Sequence, residues 1–338
     1  MSLHSHHTLT PELDEDNQPA NLQVFDYEPA LSDNETAIVE WLTGNSLTPP
    51  ARLLYDTRGA ALFETICATP EYYLTQKEEE ILPQLARYLA NTAPANSQIV
   101  EYGSGNRRKI AQLLKSCPQI RAHVPIDISK SHLMENARLL AGDFPDRIFS
   151  AICADFFQSI DIPSAPLGHA VSQNIGFFPG STIGNMPPDK ASTLLSGARR
   201  ALGSSSVFVL AVDRVKPTEV LVDAYLDSAG ASANFSLNLI DRINREMAGK
   251  IDKNAIRYDA VFNEETQAIE MWWIVERAHV TSVAGHSISL EKGQRFLVEI
   301  SRKFTPSSVE KLAKSAGYEL QALISTDDDW YSLAILKG

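Results

Sequence analysis

Gln98-Ile-Val-Glu-Tyr-Gly-Ser-Gly-Asn-Arg-Arg-Lys109 decides the fold. An apolar, β-branched run closes on an acid and on two glycines at alternate positions, and a helix-like stretch follows. Gly103 and Gly105 let the chain turn sharply and let a ligand lie against bare backbone that a Cβ would obstruct. The third glycine of the dinucleotide fingerprint is missing, with Arg107 and Arg108 in its neighbourhood, and there is no Gly-Lys-Ser/Thr phosphate loop. A pyrophosphate is therefore not the expected guest. An acid-x-Gly-x-Gly turn also suits S-adenosylmethionine, whose amino-acid moiety lies at the turn. The motif alone is equally a plain strand-to-helix turn.

Working outward, His123-Val-Pro-Ile-Asp-Ile128 reads as a second strand with Asp127 near its carboxyl end. Its distance from Glu101 is the roughly 20 to 30 residues of one βαβ crossover. A third strand, Ile148-Phe-Ser-Ala-Ile-Cys153, leads into Asp155-Phe156, a carboxylate beside an aromatic that suits adenine. Singly, each acid is also a helix cap or loop residue; three strand ends in order on one edge favour a nucleoside pocket. Strands follow at 169–178 and 204–212, with a helix between them opened by Pro187-Pro188-Asp189 and closed by Gly203. The tail carries a helix starting at Thr305-Pro306 and stopped by Gly317, then strands 319–325 and 330–336 around Thr-Asp-Asp-Asp.

Five parallel strands, a helix and a closing hairpin predict an α/β, Rossmann-like seven-strand methyltransferase sheet. About ninety residues separate the fifth strand from the last helix. They read as helices at 217–229 and 232–248 and strands at 257–263, 269–277 and 295–302, a second, smaller α+β substrate-binding domain over the strand ends.

Composition narrows the partners. The 338 residues are 44% hydrophobic, enough for a real core, with a formal net charge of −12 and no Lys/Arg-rich stripe. Nucleic acid is disfavoured and a small-molecule substrate expected. Cys67, Cys117 and Cys153 lack disulfide or metal spacing, no run suits a signal peptide or a membrane span, and a cytoplasmic monomer is the expectation, with no bound metal. His4, His6 and His7 fall in a polar leader, 1–21, read as disordered; metal capture there is the alternative.

The chain resembles the histidine Nα-methyltransferases of ergothioneine biosynthesis from about Pro49 to its end. Leu54-Tyr-Asp-Thr-Arg-Gly59, Leu62-Phe-Glu64 and Pro70-Glu-Tyr-Tyr73 are similar to that family's N-terminal signature. Glu101-Tyr-Gly-Ser-Gly105 with Lys109, Pro125-Ile-Asp127, Asp155-Phe156, Gly180-Ser-Thr-Ile-Gly-Asn185, Glu270-Met-Trp272 and Glu299-Ile-Ser301 follow in the family's order. Gln76 and Lys77 depart from it, standing where an arginine is usual.

The resemblance implies S-adenosylmethionine as methyl donor and L-histidine as acceptor, methylated three times to hercynine. It implies cofactor contacts at Tyr55, Gly103, Lys109, Asp127, Asp155 and Phe156, and histidine contacts at Tyr72, Asn185, Tyr225, Met271, Glu299 and Ser301. Asn185 can hold the zwitterionic head and Tyr225 can donate to its carboxylate. Glu299 and Ser301, two apart on a strand, share a face and can grip two imidazole nitrogens. Tyr72 is a candidate proton path. The implied division is 22–76 with 215–302 as histidine-binding lid, and 77–214 with 303–338 as cofactor-binding domain. Alternatives are another amino acid or indole-type acceptor, or a non-catalytic S-adenosylmethionine-binding protein.

Overall fold

A computed structural model describes residues 18–27, 34–105 and 107–338. Six strands run parallel: β1 (Leu22–Asp26), β2 (Ser97–Tyr102), β3 (Ile120–Asp127), β4 (Ile148–Cys153), β5 (Gln173–Phe178) and β6 (Val207–Asp213). The hairpin β12 (Glu319–Ser325) and β13 (Tyr331–Lys337) completes the sheet, β13 lying antiparallel to β6. The spatial order is β1-β4-β3-β2-β5-β6-β13-β12. The winding reverses on either side of β2, so the crevice beyond the carboxyl ends of β2 and β5 is the topological switch point where α/β sheets take ligands. β2 and β4 are buried along their whole length, as parallel strands covered on both faces must be.

One face packs on α3 (Tyr73–Thr92), α4 (Arg107–Ser116) and α5 (Lys130–Asp143) through Ile81, Leu113, Leu133 and their neighbours. The other packs on α6 (Pro188–Leu202) and α9 (Pro306–Ser315) through Leu195, Val309 and Phe208. The Thr305 hydroxyl accepts from the Ser308 N–H at 3.1 Å, so the helix start read from Thr305-Pro306 is a capping box.

A further apolar core lies over the strand ends. There α1 (Asn34–Leu42), α2 (Thr57–Cys67), α7 (Thr218–Asp223) and α8 (Ala231–Glu246) cover an antiparallel sheet of order β11-β8-β7. Its strands are β7 (Ile256–Asn263), β8 (Ala268–Val275) and β11 (Arg295–Arg302), with a hairpin of β9 (His279–Val283) and β10 (His286–Leu290) beside them. Trp41 meets Trp273 edge-on at 5.1 Å, and their indole N–H groups donate to the Leu297 carbonyl (2.9 Å) and the Ser236 hydroxyl (3.0 Å). Both buried indoles are thereby satisfied.

Several expectations need correction. The sheet has the seven expected strands and an eighth: β1, read as part of the lid, pairs in parallel with β4 at the sheet edge. The expected leader lies outside the described residues up to 17. Its last residue is ordered, the Asn21 amide donating to the carbonyls of Ala141, Phe144 and Arg147 at 3.0 to 3.2 Å. The helix read over 217–229 ends at Asp223, because the Asp227 carboxylate accepts from the N–H groups of Ala231 (2.7 Å) and Ser232 (2.8 Å) and so starts α8 instead. The β9–β10 hairpin was not anticipated; its strands are short and flank Gly285 at a left-handed φ of +80°.

Candidate active site

At the switch point Gly103 takes φ +75°, and its N–H donates to the Ile126 carbonyl at 2.9 Å. The turn is thus tied to β3, and its open backbone faces the crevice. The Gly105 carbonyl accepts from the Asn136 amide (2.9 Å) and lies 2.8 Å from His132 Nε2, anchoring the turn to α5. Glu101, the acid of the motif, is buried and lies 3.0 Å from His123 Nε2. Asp127 and Asp155 stand at the ends of β3 and β4, each carboxylate accepting from the N–H two residues on, Ser129 and Phe157, at 2.9 Å. Burial raises the Asp127 carboxyl above its ordinary value, against the Ser129 N–H. Phe156 packs on Phe178 at 5.8 Å.

Lys109 is the next residue inward, and its ammonium pairs with Glu78, a buried residue of α3. The same carboxylate accepts from the Gly180 N–H (2.7 Å) and the Tyr331 hydroxyl (3.0 Å). Glu78 therefore joins the helix after the glycine turn to the loop that carries Asn185.

That loop needs unusual backbone. Gly180 has φ +73° and Ser181 φ +55°, and a short 3-10 turn, Thr182–Asn185, follows. A Cβ on Gly184 would stand 2.7 Å from the Arg302 carbonyl, so only glycine lets the turn lie flat on β11. The close approach places the Asn185 amide 3.0 Å from Glu299, to which it donates. Gly184→Ala should therefore push the turn away, with an overpacking cost of about 1 to 3 kcal/mol. Denaturant unfolding is expected to register that loss.

β11 carries the other half of the site. It has a bulge between Leu297 and Glu299, so Glu299, rather than Val298, stands opposite Met271 of β8, and Ser301 opposite Ile269. A bulge within a strand re-aims side chains in this way. Glu299 is buried, and desolvation pushes its carboxyl up to about 7, the Asn185 amide opposing. The Ser301 and Tyr225 hydroxyls are 2.8 Å apart, and Lys303 Nζ donates to both at 2.9 Å.

Below them lies a charge cluster. Lys303 pairs with Asp213 at 2.7 Å, Lys216 pairs with the same carboxylate, and the Tyr73 hydroxyl donates to it at 2.8 Å. The Asp213 N–H donates to the Ser181 hydroxyl at 2.8 Å, fixing the Asn185 loop to the end of β6. Burial disfavours every charge here. Asp213 nevertheless stays below its ordinary value because two ammonium groups face it, and Lys303 stays above its own because of Asp213, whereas burial brings Lys216 down to about 8.

An aromatic wall closes the remaining side. Tyr55 meets Phe63 (5.6 Å) and Phe235 (5.2 Å), Phe63 meets Tyr72 (6.2 Å), and Tyr72 meets Tyr225 (6.0 Å), with ring contacts mostly edge-on. Burial holds the Tyr72 phenol well above its ordinary pKa, so it stays protonated.

The structure thus groups Asn185, Tyr225, Met271, Glu299 and Ser301 on one side, with Tyr55 and Tyr72 in the wall, and Gly103, Asp127, Asp155 and Phe156 along the strand ends. Lys109 lies at the start of α4 after the glycine turn, paired with Glu78. Sequence reading missed Glu78, Tyr73, Asp213, Lys216 and Lys303. For Lys303 a signal existed: Glu299, Ser301 and Lys303 are polar at alternate positions, one face of an extended chain. Among the described residues no cluster of His, Cys, Asp and Glu could hold a metal ion, and no helix is long and apolar enough to cross a membrane.

Residues 34–338 match the family described as histidine-specific methyltransferase, SAM-dependent. A histidine N-alpha-methyltransferase of Mycolicibacterium smegmatis is 31% identical over 281 residues, 82% of this chain and 86% of that protein. Ergothioneine biosynthesis protein 1 of Neurospora crassa is 29% identical over 278 residues, 80% of this chain and 31% of that longer protein. Among solved structures, an S-adenosylmethionine-dependent methyltransferase from Clostridium acetobutylicum aligns with a TM-score of 0.44 at 10% identity, covering 77% of this chain and 91% of that one.

Proposed function

Because this chain belongs to the histidine-specific, S-adenosylmethionine-dependent methyltransferases, we propose that it trimethylates the α-nitrogen of L-histidine to hercynine, a step of ergothioneine biosynthesis. The observation that carries this reading is that Asn185 reaches Glu299 and Tyr225 reaches Ser301 on β11, while the loop that carries Asn185 is tied through Glu78 to the helix that follows the Gly103 turn.

The residues present fit the cofactor. Gly103 leaves backbone bare at the switch point, and Asp127 and Asp155 offer carboxylates at successive strand ends for hydroxyl and amine donors. Phe156 offers a ring face, Tyr55 borders the crevice, and Lys109 has N–H donors beyond the one that Glu78 takes. S-adenosylmethionine, when bound there, supplies an electrophilic methyl group on a sulfonium.

Histidine is held, on this reading, at both ends. Glu299 accepts from a ring N–H, Ser301 donates to the other ring nitrogen, and Met271 packs beside them. Asn185 and Tyr225 take the amino-acid head, which parts the Asn185–Glu299 and Tyr225–Ser301 contacts. Transfer relocates positive charge rather than creating it, so alignment supplies most of the catalysis. The attacking amine must be neutral, and desolvation beneath the lid lowers an ammonium pKa. Tyr72, kept protonated by burial, acts as a hydroxyl relay for that proton rather than as a base. The wall of Tyr55, Phe63, Tyr72 and Tyr225 suits a quaternary ammonium product through cation–π attraction, which supports three rounds.

Incubation with S-adenosylmethionine and each amino acid, followed by mass analysis, tests this: histidine should gain three methylene units, and a product from another amino acid alone would refute it. The Glu299 pKa sets a pH dependence. The carboxylate is a stronger acceptor for the ring N–H than the neutral acid, so as the group protonates below about 7 binding weakens. Histidine affinity should rise from pH 6 to 8 more steeply in the wild type than in Glu299→Gln.

A further inference from the structure

Lys303 is fully buried, and its ammonium has three N–H donors and no acceptor. All three have partners: Asp213 Oδ2 at 2.7 Å, the Tyr225 hydroxyl at 2.9 Å and the Ser301 hydroxyl at 2.9 Å. Each hydroxyl oxygen therefore spends one of its two lone pairs on a cation, which polarises its own O–H and makes it a better donor and a poorer acceptor towards any further partner. One of those protons bridges the two hydroxyls, so the oxygen that receives it accepts twice. Once a guest parts them, both are free to donate to it.

Resting on the proposed reading of the site, we propose that Lys303 is a positioning residue that biases Ser301 and Tyr225 towards donating, so that the pocket reads neutral histidine as one ring tautomer. Glu299, whose carboxylate only accepts, takes the N–H; Ser301, whose proton is turned outward, takes the bare nitrogen. Without Lys303 the Ser301 hydroxyl would donate and accept with similar ease, and the pocket would distinguish the two nitrogens less sharply.

The test compares histidine with the two pyrrolylalanine isomers, which keep a ring N–H and lack the acceptor nitrogen. Calorimetry in the presence of S-adenosylhomocysteine should show the wild type preferring histidine, and Lys303→Met should cut that preference by roughly tenfold, mainly through weaker histidine binding. General damage would weaken all three ligands alike and leave the ratio unchanged, and that result would overturn the proposal. Should the variant fail to fold, ring-labelled 15N-histidine bound to the wild type decides. One pyrrole-type and one pyridine-type nitrogen are expected at pH 7.5; an imidazolium pattern, or two averaged nitrogens, would overturn it. Failure of the wild type to bind histidine at all removes the reading beneath this inference, and both fall together.

Discussion

Glu299→Gln should bind histidine roughly 10- to 150-fold more weakly, the loss of about 1.5 to 3 kcal/mol that goes with a hydrogen bond to a charged group. The same variant should be more stable than the wild type. Glu299 is buried with a folded-state pKa of about 7 against an ordinary value of 4.5, so it costs stability once both states ionise. The sign follows from proton counts: between these values the folded state holds the proton and the unfolded state has lost it, so stability falls as pH rises through that window. Above about pH 7 the cost is complete, and the uncharged amide escapes up to about 3 kcal/mol of it. Denaturant titrations at pH 4.5 and pH 8 should therefore show little difference at the lower pH and a more stable variant at the higher. A wild type more stable than the variant at pH 8 would mean that Glu299 is better solvated than its burial implies. S-adenosylhomocysteine binding should not change.

Asp213→Ala is expected to be the most damaging substitution for the fold. It leaves Lys303 and Lys216 buried without their shared carboxylate and removes the acceptor of the Tyr73 hydroxyl. Removing one partner of a buried pair costs about 3 to 5 kcal/mol, because the remaining charge stays in low dielectric. Two outcomes identify the cause. The loss measured by denaturant unfolding should shrink towards pH 10, as the orphaned ammonium groups neutralise, and a second substitution, Lys303→Met, should recover part of it. Losses that add without coupling would place the damage elsewhere.

How far this was legible in the sequence depended on whether the determinant was local. The Gly103 turn and the acids Asp127 and Asp155 follow from strand-end patterns, and the hairpin from two apolar runs around a polar tip. Glu299 and Ser301 were legible as alternate residues of a strand. The bulge that turns Glu299 rather than Val298 towards Met271 was not, since nothing in Leu-Val-Glu marks an extra residue. Glu78 sits in a run of three glutamates, and only tertiary packing makes it, rather than Glu79 or Glu80, the group under Lys109 and Gly180. Asp213 and Lys303 belong to elements far apart in the chain, and their pairing is a property of the assembled core. β1 is five residues long, and its partner β4 lies more than a domain half away in sequence; local pattern could not assign it to the sheet. Lys77, where the resemblance made a departure notable, pairs with Glu80 (2.8 Å) and Asp328 (2.6 Å), so the substituted position ties α3 to the hairpin tip.

The central claim is that the crevice holds histidine with its ring on β11 and its α-nitrogen towards the Gly103 turn. A crystal structure with L-histidine and S-adenosylhomocysteine tests it directly. The account expects the imidazole between Glu299 and Ser301, the head at Asn185 and Tyr225, and the α-nitrogen facing the sulfur. An imidazole directed at the sulfur, or histidine bound away from β11, would contradict it.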